Sequence, residues 1–590
     1  MGKRLLFNGR WLGMALIVVL ASGCSSSSDV TIMAIQGEDH FSPLQGQTVV
    51  TSGVVTFVVA DGEGFFIQDP VGDEDPATSD GVLVVMEGAS SGIRMPVVGD
   101  RVRVSGQVEE LQFGKALPRT QLSGLLQLEM QSSGNPLPAS VGLEGLPTES
   151  LTEGKAFWES REGMRVKVQN GLVVAPTSSY GEFAVLADSG AKPGSGFFSE
   201  TSHILLRPLG DNEVDYNPER IQIAGGARTS STIVRPGDEV VELLGVVDYT
   251  YGNYKVIPSR IEVQDQGLPK LPVSTRTGPN GDFVITTFNV ENLFDLEDDP
   301  DKADEGTTPS PDELETKLRK LEAVIREELR LPEIIVVQEV ENTTILAQLA
   351  KRVNQRSDTS YVATSLGSSD RRGIENGFLW DRERVALEEA TLVSGPESQR
   401  AFGLTSESPG REPLVGIFEI RGKRVTVVGN HFRSKGGDDP LFGVDDPPHR
   451  SSEVQRKAQA GAVRNYVDSI LGGDPTAWLV VAGDLNDFQF GEPGEGPNHP
   501  LAILEGGDGK VPLTNLVLRE DEAERFTYIY QGNSQILDHI LVSPGMLEKL
   551  AAVDILHFDA SYPDRFSGNR STHLRASDHD AVEARFRLKD

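Results

Sequence analysis

From residue 281 onward, apolar runs break off repeatedly into polar turns: ITTFNVENLF, PEIIVVQEVEN, KRVTVVGNHFR, TAWLVVAGDLNDF and SQILDHILVSP. Runs rich in Val and Ile, too short for a helix and without its spacing, read as buried strands. A polar side chain just past such a strand stands at the rim of a sheet, where it remains reachable. Between these runs, PDELETKLRKLEAVIREELRLP, TTILAQLAKRVN and SEVQRKAQAGAVRNYVDSIL carry helical spacing. Strand and helix in alternation predict an α/β domain over residues 281–590, with chemistry carried at strand ends.

The first half has a different texture. VVTSGVVTFV, GFFIQDP, DGVLVVME and DRVRVSGQVEELQFG are short strand-like segments separated by glycine and acidic turns, and REGMRVKVQNGLVV, GEFAVLAD and GDEVVELLGVVDYTYGNYKVIP repeat that order. The 62 glycines and 34 prolines in the chain fit a turn-rich β architecture. The pattern predicts two β-rich modules over 43–130 and 158–265, related by an approximate duplication. Linkers are expected at 131–157 and 266–280. Short strands in small modules need protected edges, and closure into a barrel supplies that protection. Both modules resemble the small barrels of oligonucleotide-binding folds. Tyr249, Tyr251 and Tyr254 are candidate stacking surfaces there, and Arg101, Arg103 and Lys115 candidate phosphate contacts.

Cys24 is the only cysteine, so no disulfide forms within the chain and no disulfide-linked partner is expected. It follows a basic start, MGKR, and the apolar stretch WLGMALIVVLASGC, which is too short for a stable span and suited to export. Residues 1–24 resemble a lipoprotein-type signal ending in a lipidated cysteine, although Ala21 stands where leucine is usual. Residues 25–42, opening on four serines, are the expected tether. The expectation is an exported outer-membrane or cell-surface lipoprotein, attached to the membrane through Cys24; an ordinary secreted protein is the alternative.

The junction residues Asn289, Glu339, His431, Asp484, Asn486, Asp538, Asp578 and His579 form a chemically coherent set. Carboxylates are hard oxygen ligands for Mg²⁺ or Mn²⁺, amides donate to phosphate oxygens, and imidazoles handle protons. No cysteine is available as a zinc ligand in this domain, and HExxH is absent. A formal charge of −33 disfavours general attraction to a polyanion, so a nucleic-acid substrate requires local cations. Arg433 and Lys435, with Arg450, Arg456 and Lys457 further on, are the candidates, and Arg456 is favoured within this group. Asp438, Asp439, Asp445 and Asp446 in the same loop are candidates for an additional Ca²⁺.

The motifs TFNVENLF, VQEVEN, GNHFRSKGGDDPLFG, GDLND, LDHILVS and SDHD, in that order, resemble those of the endonuclease/exonuclease/phosphatase superfamily, particularly its extracellular deoxyribonuclease branch. The resemblance covers residues 281–590. It implies a four-layer fold in which two facing mixed β-sheets are covered by helices, with the active site at one edge. It further implies that Glu339 is the central metal carboxylate, aided by Asn289, Asp578 and Asp484. His431 then serves the reacting phosphodiester, with Glu375 orienting it. Asp484 accepts a proton from water or orients it, Asn486 donates toward phosphoryl oxygens, and Asp538 holds His579 in a productive tautomer. The general base is left open between Asp484 and His579, and Asp487 is a turn or second-metal residue.

The expected activity is metal-dependent hydrolysis of phosphodiester bonds in extracellular DNA with little sequence preference, since backbone chemistry is common to all sequences. RNA stays open as a substrate. The alternatives are a lipid or inositol phosphate phosphodiesterase or phosphatase of the same superfamily, and a non-enzymatic surface protein that binds nucleic acid or acts in adhesion.

Overall fold

A computed structural model of the chain describes residues 29–588 except 91, 191–193, 211–212, 227–231, 265–281, 300–301, 303–307, 404–409, 494 and 496–497. The export signal with Cys24, the tether serines and the 266–280 linker lie outside the described residues.

Valine-rich alternation closes the first module. Strands Thr48–Val58, Gly64–Gln68, Gly81–Val85, Arg119–Ser132 and Arg101–Leu111 pair in that order into a closed barrel. In Arg101–Leu111, Val102, Val104 and Val108 point inward, so the period of two fills the barrel with side chains. Residues 29–42, expected as tether, are built into this module. Ile32–Gln36 is a short helix, capped by the Thr31 hydroxyl, which accepts from the Ala34 amide at 3.2 Å. Ile32, Met33 and Ile35 join the barrel core, because three apolar side chains in one helical turn have nowhere else to be buried.

The second module closes the same way. Arg165–Ala175, Phe183–Leu186, Ile221–Ile223, Asn253–Gln264 and Glu239–Thr250 pair in sequence, and the last pairs back to the first. Strand by strand the two rings have identical connectivity, including one parallel pair in each, Gly81–Val85 with Arg119–Ser132 and Ile221–Ile223 with Asn253–Gln264. Residues 131–157, expected as a linker, instead supply structure to the second ring. Val141–Gly142 pairs with Arg165–Ala175, and the helix Leu151–Glu159 begins there. Leu143, Leu151 and Trp158 are buried in the second module's core, which is why that stretch is ordered.

Residues 282–588 have two six-stranded sheets. In the first, Tyr361–Ser365, Glu375–Asp381, Ile334–Val340, Phe283–Leu293, Ala581–Phe586 and Leu550–Leu556 are neighbours in that order; in the second, Ala386–Leu392, Arg411–Ile420, Lys423–His431, Trp478–Asp484, Asp538–Val542 and Thr514–Asn515. Each sheet has one parallel pair, Phe283–Leu293 with Ile334–Val340 and Lys423–His431 with Trp478–Asp484. A parallel pair needs a crossover, and the helices Pro311–Glu327 and Glu453–Leu471 provide it. The first starts at a capping box between Ser310 and Glu313. Ile285, Val336, Val427 and Val480 meet in one apolar cluster between the sheets. The helices Pro311–Glu327 and Thr343–Asn354 pack on the first sheet, and Glu453–Leu471 on the second. Among the described residues no helix is long and apolar enough to cross a membrane.

The modules and the two-sheet half share a core. Phe442, Phe488 and Leu537 lie in the same cluster as Ala116 and Leu117 of the first module and Val247 and Tyr249 of the second. The Tyr249 hydroxyl donates to the Phe442 carbonyl at 2.5 Å and accepts from the Leu117 amide at 2.8 Å, so one side chain joins three parts of the chain.

Candidate active site

Strand register brings distant residues side by side. His431 at the end of its strand pairs with Asp484 at the end of the next, and Asp484 pairs with Asp538 at the start of the third. Residues paired across a sheet point to the same face, so these three groups converge at one edge. The other sheet contributes Asn289 and Glu339. Pairing jumps from Gln338 to Val340, leaving Glu339 as a bulge with φ of 62°. Such a bulge re-aims a side chain, here toward the opposite sheet. Asn486 (φ 49°), Glu291 (φ 50°) and Asn292 (φ 53°) are held in the same strained region.

The side chains form a connected group. His431 Nε2 lies 3.4 Å from Asp484 Oδ2 and 3.8 Å from Glu339 Oε1. Asn289 Nδ2 donates to Asp484 Oδ2 at 3.2 Å, and the Asn486 amide N–H donates to Asp484 Oδ1 at 2.8 Å. Asp538 Oδ2 is 2.8 Å from His579 Nδ1, which holds the imidazole with Nε2 facing Asp484 at 4.0 Å. Glu339, His431, Asp484, Asn486, Asp578 and His579 all line one cleft of about 1450 Å³.

The two imidazoles are driven in opposite directions. Burial pushes His431 well below its ordinary value, and the charges of Arg411, Arg372 and His579 add to this, so it is neutral at pH 7. Burial alone would lower His579 too, but Asp538, followed by Asp484 and Asp578, outweighs it and holds that ring protonated. Asp484 is raised to about 7, by burial first and by the nearby Asp538 and Glu339 carboxylates, against the opposing pull of His579. A neutral imidazole, an imidazolium and a carboxyl group poised near neutrality together suit proton transfer at a phosphate ester.

Three sequence assignments differ from the geometry. Arg456 does not reach the cleft: its side chain is 0% exposed, its Nε donates to Asp487 Oδ2 at 2.7 Å, and its Nη1 donates to the Ser452 hydroxyl. It neutralises Asp487, which Arg456 and Lys435 together hold below the carboxylate range despite burial, so Asp487 is a structural acid. Glu375 does not orient His431. Burial raises it, and it is held by Ser365 and the Gly367 backbone; His431 Nδ1 is buried without a hydrogen-bond partner. Tyr249 and Tyr254 are opposite each other in a hairpin and buried, at 4% and 2% exposure, so neither offers a stacking face. Only Tyr251, at the hairpin tip, does.

Arg433 and Lys435 line the cleft as expected from their position after His431. Arg433 donates to Gln455 at 2.8 Å, and Lys435 is 3.2 Å from Asp487 and lies over the Phe488 ring at 3.8 Å. Arg450 is paired with Glu492, Lys457 with Glu453 and Glu495, Arg103 with Asp29, and Lys115 with Asp445; Arg101 does not line the cleft. The loop acids are engaged by protein donors, Asp438 by Ser452, Asp439 by the His449 amide and Asp446 by Thr152.

Four contributors escaped the sequence reading. Arg371 and Arg372, between the strands ending at Ser365 and starting at Glu375, are exposed and line the cleft. Their doublet, DRRG, was the available signal. The Ser577 hydroxyl donates to the Asn289 carbonyl at 2.7 Å and accepts from the His579 amide, tying SDHD to the first sheet. The Tyr528 ring lies 4.8 Å from that of His579.

Among the described residues, Asp484, Asp538 and His579 are the group of acids and imidazoles close enough to surround an ion. The 2.8 Å Asp538–His579 contact accounts for much of that closeness as a charged hydrogen bond. Of the expected set of Glu339, Asn289, Asp484 and Asp578, Asp484 alone belongs to that group; Glu339 and Asp578 bring further carboxylates, the oxygen donors a divalent cation takes, to the same cleft. Glu339 Oε2 accepts from the Asn292 amide at 3.0 Å, its side chain is partly exposed, and burial first, then the Asp538 and Glu339 carboxylates, hold Asp484 up, a crowding of charge that a cation would relieve.

Sequence comparison matches residues 284–561 to the endonuclease/exonuclease/phosphatase family, whose members are phosphoester hydrolases, and residues 112–266 to a domain of unknown function. The second match spans the last strand of the first barrel and all of the second. No curated protein matches the chain. Among solved structures, an endonuclease/exonuclease/phosphatase from Bacteroides vulgatus is 15% identical, with 52% of this chain and 99% of that one covered at a TM-score of 0.35. A truncated Caenorhabditis elegans TDP2 is 17% identical, covering 52% and 98% at 0.34. The human Nocturnin catalytic domain with bound sulfate is 15% identical, covering 53% and 96% at 0.34.

Proposed function

We propose that the protein is an exported, divalent-metal-dependent nuclease that hydrolyses phosphodiester bonds of extracellular DNA with little sequence preference. The observation that carries this reading is the convergence of Glu339, His431, Asp484 and His579 on one cleft that also presents Arg371, Arg372 and Arg433. The arginines answer the charge problem set by −33: they give a polyanion a local landing place in an acidic protein. A cleft of about 1450 Å³ exceeds the roughly 300–1,000 Å³ of small-molecule sites, which favours a polymer over an inositol or sugar phosphate.

Glu339, Asn289, Asp578 and Asp484 would hold Mg²⁺ or Mn²⁺, which when bound supplies charge neutralisation and polarises the phosphate. The protein residues do the rest. Asp484, fixed by Asn289 and Asn486, takes the proton of an attacking water. His579, kept protonated by Asp538, stabilises charge developing on the phosphoryl oxygens, and neutral His431 hydrogen-bonds the ester. Asn486 Nδ2 already donates to the Phe432 carbonyl and to Asp484, so it steadies that carboxylate. The fold belonging to this reading is the four-layer sandwich, preceded by two barrels of the oligonucleotide-binding type. The chain is anchored at the outer membrane or cell surface through lipidated Cys24.

Purified full-length protein and its His431→Ala and His579→Ala variants should be incubated with plasmid DNA, RNA and phospholipid, with Mg²⁺ and with chelator. DNA cleavage is expected to be lost with chelator and to fall in each variant by roughly two orders of magnitude, about 3 kcal/mol. Near-wild-type cleavage by both variants, or faster turnover of phospholipid than of DNA, would overturn the reading.

A further inference from the structure

We infer that the cleft is built for an unpaired stretch of DNA, whose bases stack on Phe113 and Tyr251 from the two barrels and on Tyr530 of the catalytic half. The inference rests on the nuclease reading and adds to it the form of the substrate. All three rings line the cleft that contains Asp484 and His579, and they are exposed by 72%, 91% and 52%. Exposed aromatic faces lining the same cleft as the phosphate chemistry are surfaces on which bases can stack.

Their placement is rigid. Tyr251 and Gly252 are the two tip residues of the hairpin closed by Thr250 and Asn253, with φ of 53° and 75°, the pair of left-handed values of a tight type I′ turn. A side chain at Gly252 would come within 2.5 Å of Pro440, so the tip sits directly against the catalytic half. Tyr249 and Tyr254, just below the tip, are buried and fasten it. Phe113 lies in the turn between Arg101–Leu111 and Arg119–Ser132. That turn is docked by the Ala116–Gly443 bridge, by the Val444 amide donating to the Lys115 carbonyl at 3.0 Å, and by the Lys115–Asp445 ion pair at 2.9 Å. Rings fixed in advance bind without paying again to be ordered.

A duplex stacks the faces of its bases inside and leaves only their edges and the phosphates accessible; an unpaired strand exposes the faces as well. Arg371, which makes no ion pair among the described residues, and Arg372 serve the backbone, and the rings serve the bases without reading their identity.

The test compares one fluorescent oligonucleotide as a single strand and annealed into a duplex, using full-length wild type, a Phe113→Ala/Tyr251→Ala variant and a Phe113→Tyr/Tyr251→Trp variant. The wild type is expected to favour the single strand in kcat/KM by about a hundred-fold. The alanine variant should lose that preference through KM, by roughly ten-fold for each ring, and the aromatic variant should keep it. Equal cleavage of the two forms by wild type, or a preserved preference in the alanine variant, overturns the inference and leaves the nuclease reading standing. Cleavage of neither form by wild type overturns both.

Discussion

Depth decides what a charged residue does. Arg456 and Arg433 both follow His431 within a polar segment, and sequence alone favours Arg456. One is sealed against Asp487, and the other opens on the cleft. Removing one partner of a buried pair strands the other's charge at a cost of about 3–5 kcal/mol. Arg456→Ala is therefore expected to lower the urea midpoint markedly while leaving KM for DNA near wild type in the fraction that folds. Unchanged stability with a raised KM would mean that Arg456 reaches substrate after all. The residues that were legible, His431, Asp484, Asp538 and His579, announced themselves because each abuts an apolar strand that fixes its direction. Glu375 also abuts a strand, but which partner takes its carboxylate is set by the Ser365 loop across the sheet, and no local pattern encodes that. The hairpin tyrosines repeat the lesson. A two-residue turn places Tyr249 opposite Tyr254 and leaves Tyr251 alone outside, an alternation present in DYTYGNY once the turn is located.

Strands carry the site, and their close approach is what aligns it. Gly483 pairs with Asn430 in the parallel step that sets His431 beside Asp484, at φ of 144°. A Cβ there would lie 2.0 Å from the Asn430 carbonyl oxygen. Gly483→Ala forces these two strands apart, at about 3 kcal/mol for a contact between backbones. The expected fall in melting temperature is on the order of 10 °C. A calorimetric scan showing no fall would disprove the tight approach. Helices were the most legible elements: Pro311–Glu327, Thr343–Asn354 and Glu453–Leu471 lie where helical spacing predicts. The small strand Val141–Gly142 and the helix Ile32–Gln36 were not. Each is shorter than the window over which a period shows itself, and each exists because a barrel needed an edge or an end covered.

At the scale of the molecule, the modules are walls of the active-site cleft. Their duplication was visible as a recurring order of strands, and it extends to the sense of every pairing in the two rings. Their docking was invisible, since nothing in Leu117, Tyr249 or Phe442 marks them as neighbours across the chain. The proposed anchoring belongs to this scale too, because it would hold a large cleft at a membrane surface. Labelled palmitate is expected to attach to the wild-type protein in a bacterial host and to be absent from a Cys24→Ala variant. Failure of the wild type to label beside a control lipoprotein would leave secretion as the alternative.

The Tyr249 phenol, which ties the two barrels to the two-sheet half, has a consequence for ancestry. Parts strung like beads can be shuffled between genes, each keeping its trade. Here an insertion or exchange must restore two partners at one oxygen, each from a different part of the chain, so the doubled barrel and the two-sheet half are expected to travel as a single heritable unit.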